Sequence, residues 1–208
     1  MRTAEIRKQI KAAIEDERRT NRMRGILVQM ANARGSNPSA EVLDGALAFV
    51  RDYIEHVPAT IEAIAAAAPK IGDQAQLRQV LAAAEQYWFT ALDIIPDHIG
   101  LTGLVDDAYY VLSLMHGISE GYRERTGTSL LSPNIGAANV FMRTLIGEPH
   151  ASLLDASIAT AQQGPALQNL INQMVRGIGQ PMTVPDPIWG NASIDEIVNA
   201  RMGAMGIV

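Results

Sequence analysis

The 208-residue sequence predicts an all-α protein, a helical bundle built around an antiparallel αα-hairpin with a long N-terminal helix. Apolar residues recur at spacings of three and four, which is the period of an amphipathic helix. No alternating apolar and polar segment is bounded by turn signals, as a half-buried strand would be. Hydrophobic residues make up 48% of the chain, ample for a core, and aromatic residues only 5%. Such a composition favours closely packed helices over a β-sandwich.

The predicted hairpin spans residues 75–125. Two apolar stripes of similar length, joined by a short connector, are typical of neighbouring antiparallel helices. The first helix is expected to continue until Pro96 stops it. The stripe of the first helix is Leu77, Leu81, Ala84, Trp88, Ala91 and Ile95, and that of the second is Leu104, Ala108, Val111, Met115, Ile118 and Tyr122.

The segment before the hairpin predicts one long helix and two shorter ones. Residues 3–33 carry a broken apolar stripe and are interpreted as a single amphipathic helix. The sequence GSNPS then interrupts it, with Asn37 as the expected N-cap and Pro38 at the first helical position. The next helix runs to about residue 57, where Pro58 ends or kinks it, and a short alanine-rich helix follows as far as Ala68.

Capping signals and glycine–proline breaks predict where the remaining helices begin and end. Asp73 and Gln76 have capping-box spacing and are expected to open the first helix of the hairpin. Three helices are predicted near residues 133–147, 150–163 and 165–179, separated by glycine–proline breaks.

The C-terminal segment predicts a loop at residues 177–191, rich in proline and glycine, and then a short helix opened by Ser193 and Glu196. The chain therefore divides into three expected parts. They are a basic N-terminal helix (1–34), a helical bundle (35–180) and a loop with a short helix (181–208).

Charge is unevenly distributed along the chain. Residues 1–34 hold nine Lys/Arg and four Asp/Glu, a net +5, whereas the remainder holds eight and eighteen, a net −10. The basic patch consists of Arg18, Arg19, Arg22 and Arg24. It is suited to docking on the acidic remainder of the chain, or to binding nucleic acid or an anionic surface. No aromatic residues are interleaved with these arginines, which disfavours stacking on single-stranded bases.

Several classes of function are excluded or disfavoured. The chain contains no cysteine, so disulfides, thiolate metal sites and thiol nucleophiles are excluded. Neither a secretory leader nor a transmembrane segment is evident, and a soluble cytoplasmic protein is expected. Phosphate-cradling glycine motifs are missing. His56, His116 and His150 lie on separate predicted elements without metal-ligand spacing.

The string Gly117-Ile118-Ser119-Glu120-Gly121 matches the G-x-S-x-G pattern of a hydrolase nucleophile. That pattern requires a strand that turns sharply into a helix. Here the string lies within the second helix of the hairpin. The two glycines are instead predicted to allow close approach of a neighbouring helix.

Four aspartates, Asp93, Asp97, Asp106 and Asp107, surround the connector of the hairpin. Chain reversal is expected to bring them together, and clustered carboxylates need neutralisation. Asp106 and Asp107 also suit the first turn of a helix, where they meet the positive end of its dipole. Neutralisation can come from an arginine (Arg51, Arg78, Arg123 or Arg125) or from Mg²⁺ or Ca²⁺. With His98 added, the ligands suit Mn²⁺ or iron.

The same connector resembles the core motif of the YkvA-like family, a bacterial domain of unknown function. The resemblance covers about residues 85–118 and rests on Asp93-Ile94-Ile95-Pro96-Asp97, then Ile99, Gly103 and Asp106-Asp107. The chain departs from the family pattern at His98 and at Gly100, where the family usually has proline. The resemblance implies a small helical domain with no established chemistry, attached in some relatives to membrane segments.

The expected function is that of a non-catalytic helical interaction or scaffold protein that forms a homo-oligomer or binds a protein partner, and an enzyme is disfavoured. This interpretation rests on the missing catalytic motifs and on apolar residues near the C-terminus, including Trp189 and RMGAMGIV. The first alternative is a divalent-metal-dependent enzyme or metal-binding protein using the aspartate-rich connector. The second is nucleic-acid or anionic-surface binding through the basic N-terminal helix.

Overall fold

The computed structural model describes residues 2–66, 68–70, 74–90, 97–131, 134–177 and 203, with the backbone alone at residues 70 and 97–99. Within these ranges the chain forms helices and no strand, which confirms the all-α prediction. The α-helices are α1 Thr3–Thr20, α2 Arg22–Ala33, α3 Ala40–Ala65, α4 Ala75–Trp88, α5 Val105–Thr126, α6 Asn134–Ile146, α7 His150–Gln163 and α8 Pro165–Gly177. Two 3₁₀ helices lie at Ala68–Lys70 and Asp97–Leu104.

The bundle is organised around α5. Every residue from Val105 to Met115 is buried, so the first half of this helix is enclosed on all faces. Helices α3, α4, α6, α7 and α8 all pack against it. A helix enclosed in this way belongs to a protein core rather than to an amphipathic surface layer.

The antiparallel hairpin is formed by α4 and α5. Tyr87, near the end of α4, stacks on Tyr110, near the start of α5, with ring centroids 3.9 Å apart and planes 8° from parallel. The predicted hairpin is therefore confirmed, but α4 ends at Trp88 rather than near Pro96. Its last turn tightens, because the amide of Thr90 donates to the carbonyl of Tyr87 and the Thr90 hydroxyl donates to that of Gln86. Residues 91–96 lie outside the described residues.

The N-terminal segment forms two helices instead of the single helix predicted for residues 3–33. The break is at Asn21, whose φ of 51° lies in the left-handed region. Asparagine tolerates this conformation better than most residues. The apolar stripe nevertheless continues across the break, because Ile6 and Ile10 of α1 and Met23 and Leu27 of α2 are all buried.

The third helix, α3, differs from the prediction at both ends. Its N-cap is Ser39, whose hydroxyl accepts the amide of Val42 at 3.3 Å, and not Asn37. The helix continues through Pro58 to Ala65, so the separate alanine-rich helix does not exist. An internal proline costs about 3 kcal/mol or more. Burial of Ile61 and Ile64 beyond it offsets that cost.

The predictions for the other helix boundaries are confirmed in part. The three helices of the last third are confirmed, each within two residues of its predicted ends. The N-cap of α4 is Gln74, without a side-chain capping bond. The predicted capping residue Asp73 lies outside the described residues, as do the loop at 178–191 and the helix after Ser193.

Gly117 and Gly121 lie where side chains of α7 and α8 approach α5 closely, as predicted. A Cβ added at Gly117 would overlap the amide of Gln162 in α7, which donates to the carbonyl of Ser113 at 3.0 Å. A Cβ added at Gly121 would lie 2.6 Å from Cδ1 of Ile171 in α8. The glycines are therefore packing residues of the central helix.

We expect Gly121→Ala to destabilise the protein and Gly45→Ala to stabilise it. An alanine in an unobstructed helix gains about 0.5–1 kcal/mol over glycine, and Gly45 of α3 has no atom within 4 Å of an added Cβ. At Gly121 the added methyl overpacks the buried Ile171, which costs about 1–3 kcal/mol. Urea denaturation of the two variants measures the difference. Equal stabilisation by both alanines would contradict the close approach of α8.

Candidate functional site

The 3₁₀ segment Asp97–Leu104 leads directly into α5 and packs against α1, α2 and α5. Gly100 within it has a φ of +70°, and a Cβ at this position would lie 2.6 Å from Oδ2 of Asp16 in α1. The backbone conformation therefore favours glycine here, and a larger residue would also displace the Asp16 side chain. This accounts for the glycine found where the YkvA-like pattern usually has proline.

Helix α1 is attached to the bundle by polar contacts along its length. The indole of Trp88 donates to Gln9 at 2.7 Å, and the amide of Arg2 donates to Glu85 at 2.6 Å. Arg7 forms a two-pronged ion pair with Glu62 of α3, with N–O distances of 2.5 and 2.8 Å. Hydrogen bonding from Arg7 lowers the pKa of Glu62 to about 2. These contacts favour the alternative in which the basic segment docks on its own chain.

Glu17 joins α1 to α2. Its side chain is buried, and its two carboxylate oxygens accept the backbone amides of Met23 at 2.9 Å and Arg24 at 3.1 Å. These amides belong to the first turn of α2, which has no carbonyl partners for them and carries the positive end of the helix dipole. Glu17 therefore acts as the cap that α2 lacks at Asn21. The sequence analysis missed this role, because the capping residue belongs to the preceding helix.

The four arginines of the basic patch have different surroundings. Asp16 pairs with Arg19 at 2.6 Å and with Arg22 at 3.7 Å. Arg24 pairs with Asp44 of α3. Arg18 is exposed and has no carboxylate partner among the described side chains. Three of the four arginines therefore have a carboxylate partner within the chain, with Arg19 and Arg22 sharing Asp16.

The aspartate-rich connector is described only in part. Asp106 and Asp107 occupy the first turn of α5, and both are completely excluded from solvent. Asp97 and His98 begin the 3₁₀ segment, and only their backbone is described. Asp93 lies outside the described residues. Among described side chains no group of three or more His, Asp or Glu is arranged to hold a metal ion. The five-residue metal site thus stays a prediction.

The burial of Asp106 and Asp107 requires compensation for their charge. Removing a carboxylate from water costs several kcal/mol unless it is compensated. The first turn of α5 supplies part of the compensation, because the helix dipole is positive there. Two of the arginines proposed as partners are engaged elsewhere: Arg51 pairs with Asp52 and Glu55, and Arg123 pairs with Glu120.

Ser119, the serine of the G-x-S-x-G string, has a structural role. Its hydroxyl accepts the backbone amides of Leu130 and Leu131 at 3.0 and 2.9 Å, and the side chain is buried. It thereby holds the chain that follows α5. An oxygen committed to two buried amides and shielded from solvent is not a nucleophile. The prediction that this string is not a hydrolase motif agrees with this geometry.

A second polar cluster, which the sequence analysis missed, joins α5, α6 and α7. The Tyr109 hydroxyl donates to Asp155 at 2.6 Å, and Arg143 donates to Asp155 at 2.7 Å and to Glu148 at 2.8 Å. Burial, together with the hydrogen bond to Asp155, raises the pKa of Tyr109 well above its ordinary value. The members are up to 46 residues apart, so no local pattern signals the cluster.

The described helices also bear on the remaining predictions. None of them combines the length and apolar character that a membrane crossing needs. His56, His116 and His150 lie on α3, α5 and α7, respectively. Burial lowers the pKa of His116, which packs against Gly136.

We expect Glu17→Ala to destabilise the protein by about 1–3 kcal/mol, because it leaves two amides at the start of α2 without their acceptor. Glu15→Ala is the matched control, since Glu15 is an exposed carboxylate on the same helix. Its removal is expected to change stability by less than about 0.5 kcal/mol. The free energy of unfolding in urea distinguishes the two. Equal effects at both positions would rule out the capping role.

Comparison with known proteins adds one finding to this geometry. No curated protein and no solved structure matches the chain. One family model does match, over residues 78–112, from the first turns of α4 through the connector to Leu112 of α5. The helices α1, α2, α3, α6, α7 and α8 lie outside the match. The matching segment confirms the resemblance noted in the sequence: it is similar to the YkvA-like family, described as a protein of unknown function (DUF1232).

Proposed function

We propose that this chain is a non-catalytic helical interaction protein that self-associates through the outer faces of α6 and α7. The observation that carries the proposal is the exposure of two large apolar side chains on these adjoining helices. Val140 of α6 is 60% exposed and Leu153 of α7 is 59% exposed. A single exposed leucine is unremarkable, but here the other exposed residues of α7 are mostly small and uncharged, next to the charged cluster of Arg143, Glu148 and Asp155.

The outer face of α7 is almost free of charge. Surface helices of globular proteins normally carry charged residues on the face opposite the core. Asp155, the acidic residue of α7, binds Tyr109 and Arg143. The exposed positions along the rest of this face are small or uncharged: Ser152, Leu153, Ala156, Ser157 and Thr160. Small side chains allow a second helix to approach closely.

Polar groups in the described core form hydrogen bonds between one structural element and another, which supports a non-catalytic role. Glu17 caps α2, Ser119 holds the chain after α5, and the Tyr109–Asp155 pair joins two helices. Tyr53 of α3 has the same role, because its hydroxyl donates to Asn139 of α6 at 2.6 Å. Each of these groups is held by hydrogen bonds that join one structural element to another.

We expect Leu153→Asp to dissociate the oligomer, because a buried unpaired charge at an interface is strongly unfavourable. Light scattering during size-exclusion chromatography measures the mass of the variant and the wild type. Ala12→Asp is the matched control, since it places the same charge on an exposed alanine of α1. A monomeric wild type at all concentrations would overturn the proposal. Unchanged association of Leu153→Asp would place the interface elsewhere.

As a second candidate we propose divalent-cation binding at the aspartate-rich connector. The supporting observation is that Asp106 and Asp107, adjacent in sequence, are both completely buried where the 3₁₀ segment meets α5. Hard divalent cations bind carboxylate oxygens and offset the cost of burying them. The predicted ligands that would join them are Asp93, Asp97 and His98.

We expect Mg²⁺, Mn²⁺ or Ca²⁺ to raise the melting temperature of the wild-type protein if this site exists, because a ligand that binds only the folded state stabilises it. Asp93→Asn is expected to abolish the shift. Asp44→Asn is the matched control, since Asp44 is exposed on α3 and outside the predicted ligand set. The absence of any cation-dependent shift in the wild type would remove this candidate.

Nucleic-acid binding through the basic patch receives less support. Arg19, Arg22 and Arg24 already pair with carboxylates of the chain. A polyanion would have to displace these pairs to gain its electrostatic contacts.

A further inference from the structure

A groove lies between α1, α2 and α3 and ends at the 3₁₀ segment. Its volume is ≈ 330 Å³, within the range of small-molecule sites. Its apolar lining is entirely aliphatic and comes from three elements: Ile14, Leu47, Ala48 and Leu101. Three arginines, Arg18, Arg24 and Arg51, lie at the same groove. A second cavity of ≈ 400 Å³ shares Ile14 and Arg18 with it and continues along α1 toward Pro58.

The carboxylates of this groove are already engaged. Glu17 accepts two backbone amides of α2, and Asp44 pairs with Arg24. Arg51 pairs with Asp52 at 3.2 Å and with Glu55 at 3.6 Å. Arg18 has no such partner among the described side chains, and it borders both cavities. The groove therefore combines an aliphatic floor with one uncompensated guanidinium.

The position of Arg18 in the last turn of α1 accounts for only part of this arrangement. A cation there is favoured by the negative end of the helix dipole. Arg19 occupies the same turn and pairs with Asp16. The dipole thus explains a positive charge in this turn, but not a guanidinium that faces an aliphatic groove and retains all its donors.

From this combination we propose that the groove binds a small amphipathic anion, an alkyl phosphate monoester, with its phosphate on Arg18 and its chain on Ile14, Leu47 and Leu101. A guanidinium presents paired donors that match phosphate oxygens. Arg24 and Arg51 line the same groove but already pair with carboxylates of the chain, so the phosphate is assigned to Arg18. The site is independent of the proposed self-association, because none of its lining residues lies on α6 or α7.

The test is calorimetric titration of the full chain with octyl phosphate below its micellar concentration. Inorganic phosphate and octanol test the head group and the chain separately, and both are expected to bind at least tenfold more weakly. Vesicles containing phosphatidic acid test a lipid surface as the source of the same phosphate chemistry. Saturable 1:1 binding of octyl phosphate supports the proposal. Binding to vesicles without binding to soluble octyl phosphate overturns it.

Three variants locate the site. Arg18→Gln is expected to weaken octyl phosphate binding at least tenfold, because it removes the charge-assisted contact. Ala48→Leu fills the floor of the groove and is expected to weaken binding similarly. Lys8→Gln is the matched control, since Lys8 is exposed on the same helix and lines neither cavity. It is expected to leave the affinity within twofold of wild type.

The remaining outcomes are also decisive. Equal weakening by Lys8→Gln and Arg18→Gln would attribute binding to general surface charge and overturn the site. Unchanged affinity in both Arg18→Gln and Ala48→Leu, with thermal melts showing that both variants fold, would do so as well.

Discussion

The complete enclosure of the first half of α5 is the constraint on which the rest of the structure depends. Five helices pack around α5, so its surface dictates where each of them lies. Gly117 and Gly121 set the approach of α7 and α8. Asp106 and Asp107 enter the interior because they belong to the first turn of this helix. The polar groups that connect helices follow from the same enclosure, because a buried polar group requires a partner.

Much of this architecture can be predicted from local patterns, and the errors have identifiable causes. The spacing of apolar residues located the hairpin, and glycine–proline breaks located the last three helices. The same spacing marked only one face of α5, because periodicity cannot reveal that Tyr109 and Ser113 are also buried. Pro58 was expected to end or kink a helix, but tertiary burial overrode local preference. The break at Asn21 depends on Glu17, whose capping role spans two helices.

The candidate site was less predictable than the fold. The cluster of aspartates around the connector identified Asp106 and Asp107. The structure places them in the first turn of α5, as expected from the helix dipole. The basic patch was visible as a charge cluster, yet the pairing of Arg24 with Asp44 of α3 depends on the folded chain. The close approach of Asp16 to Gly100, 84 residues later in the sequence, likewise depends on the folded chain. Such pairs of residues share no local pattern.

The extent of the family match indicates which parts of the chain supply its proposed binding surfaces. The matching residues 78–112 form most of the hairpin, but helices outside the match complete its packing. Within the groove, the matching segment supplies Leu101, whereas Arg18, Arg24 and Arg51 come from α1, α2 and α3. The uncharged outer face of α7 also lies outside the match. The shared segment therefore serves as a framework, and the surrounding helices provide the surfaces on which the proposed ligand and self-association depend.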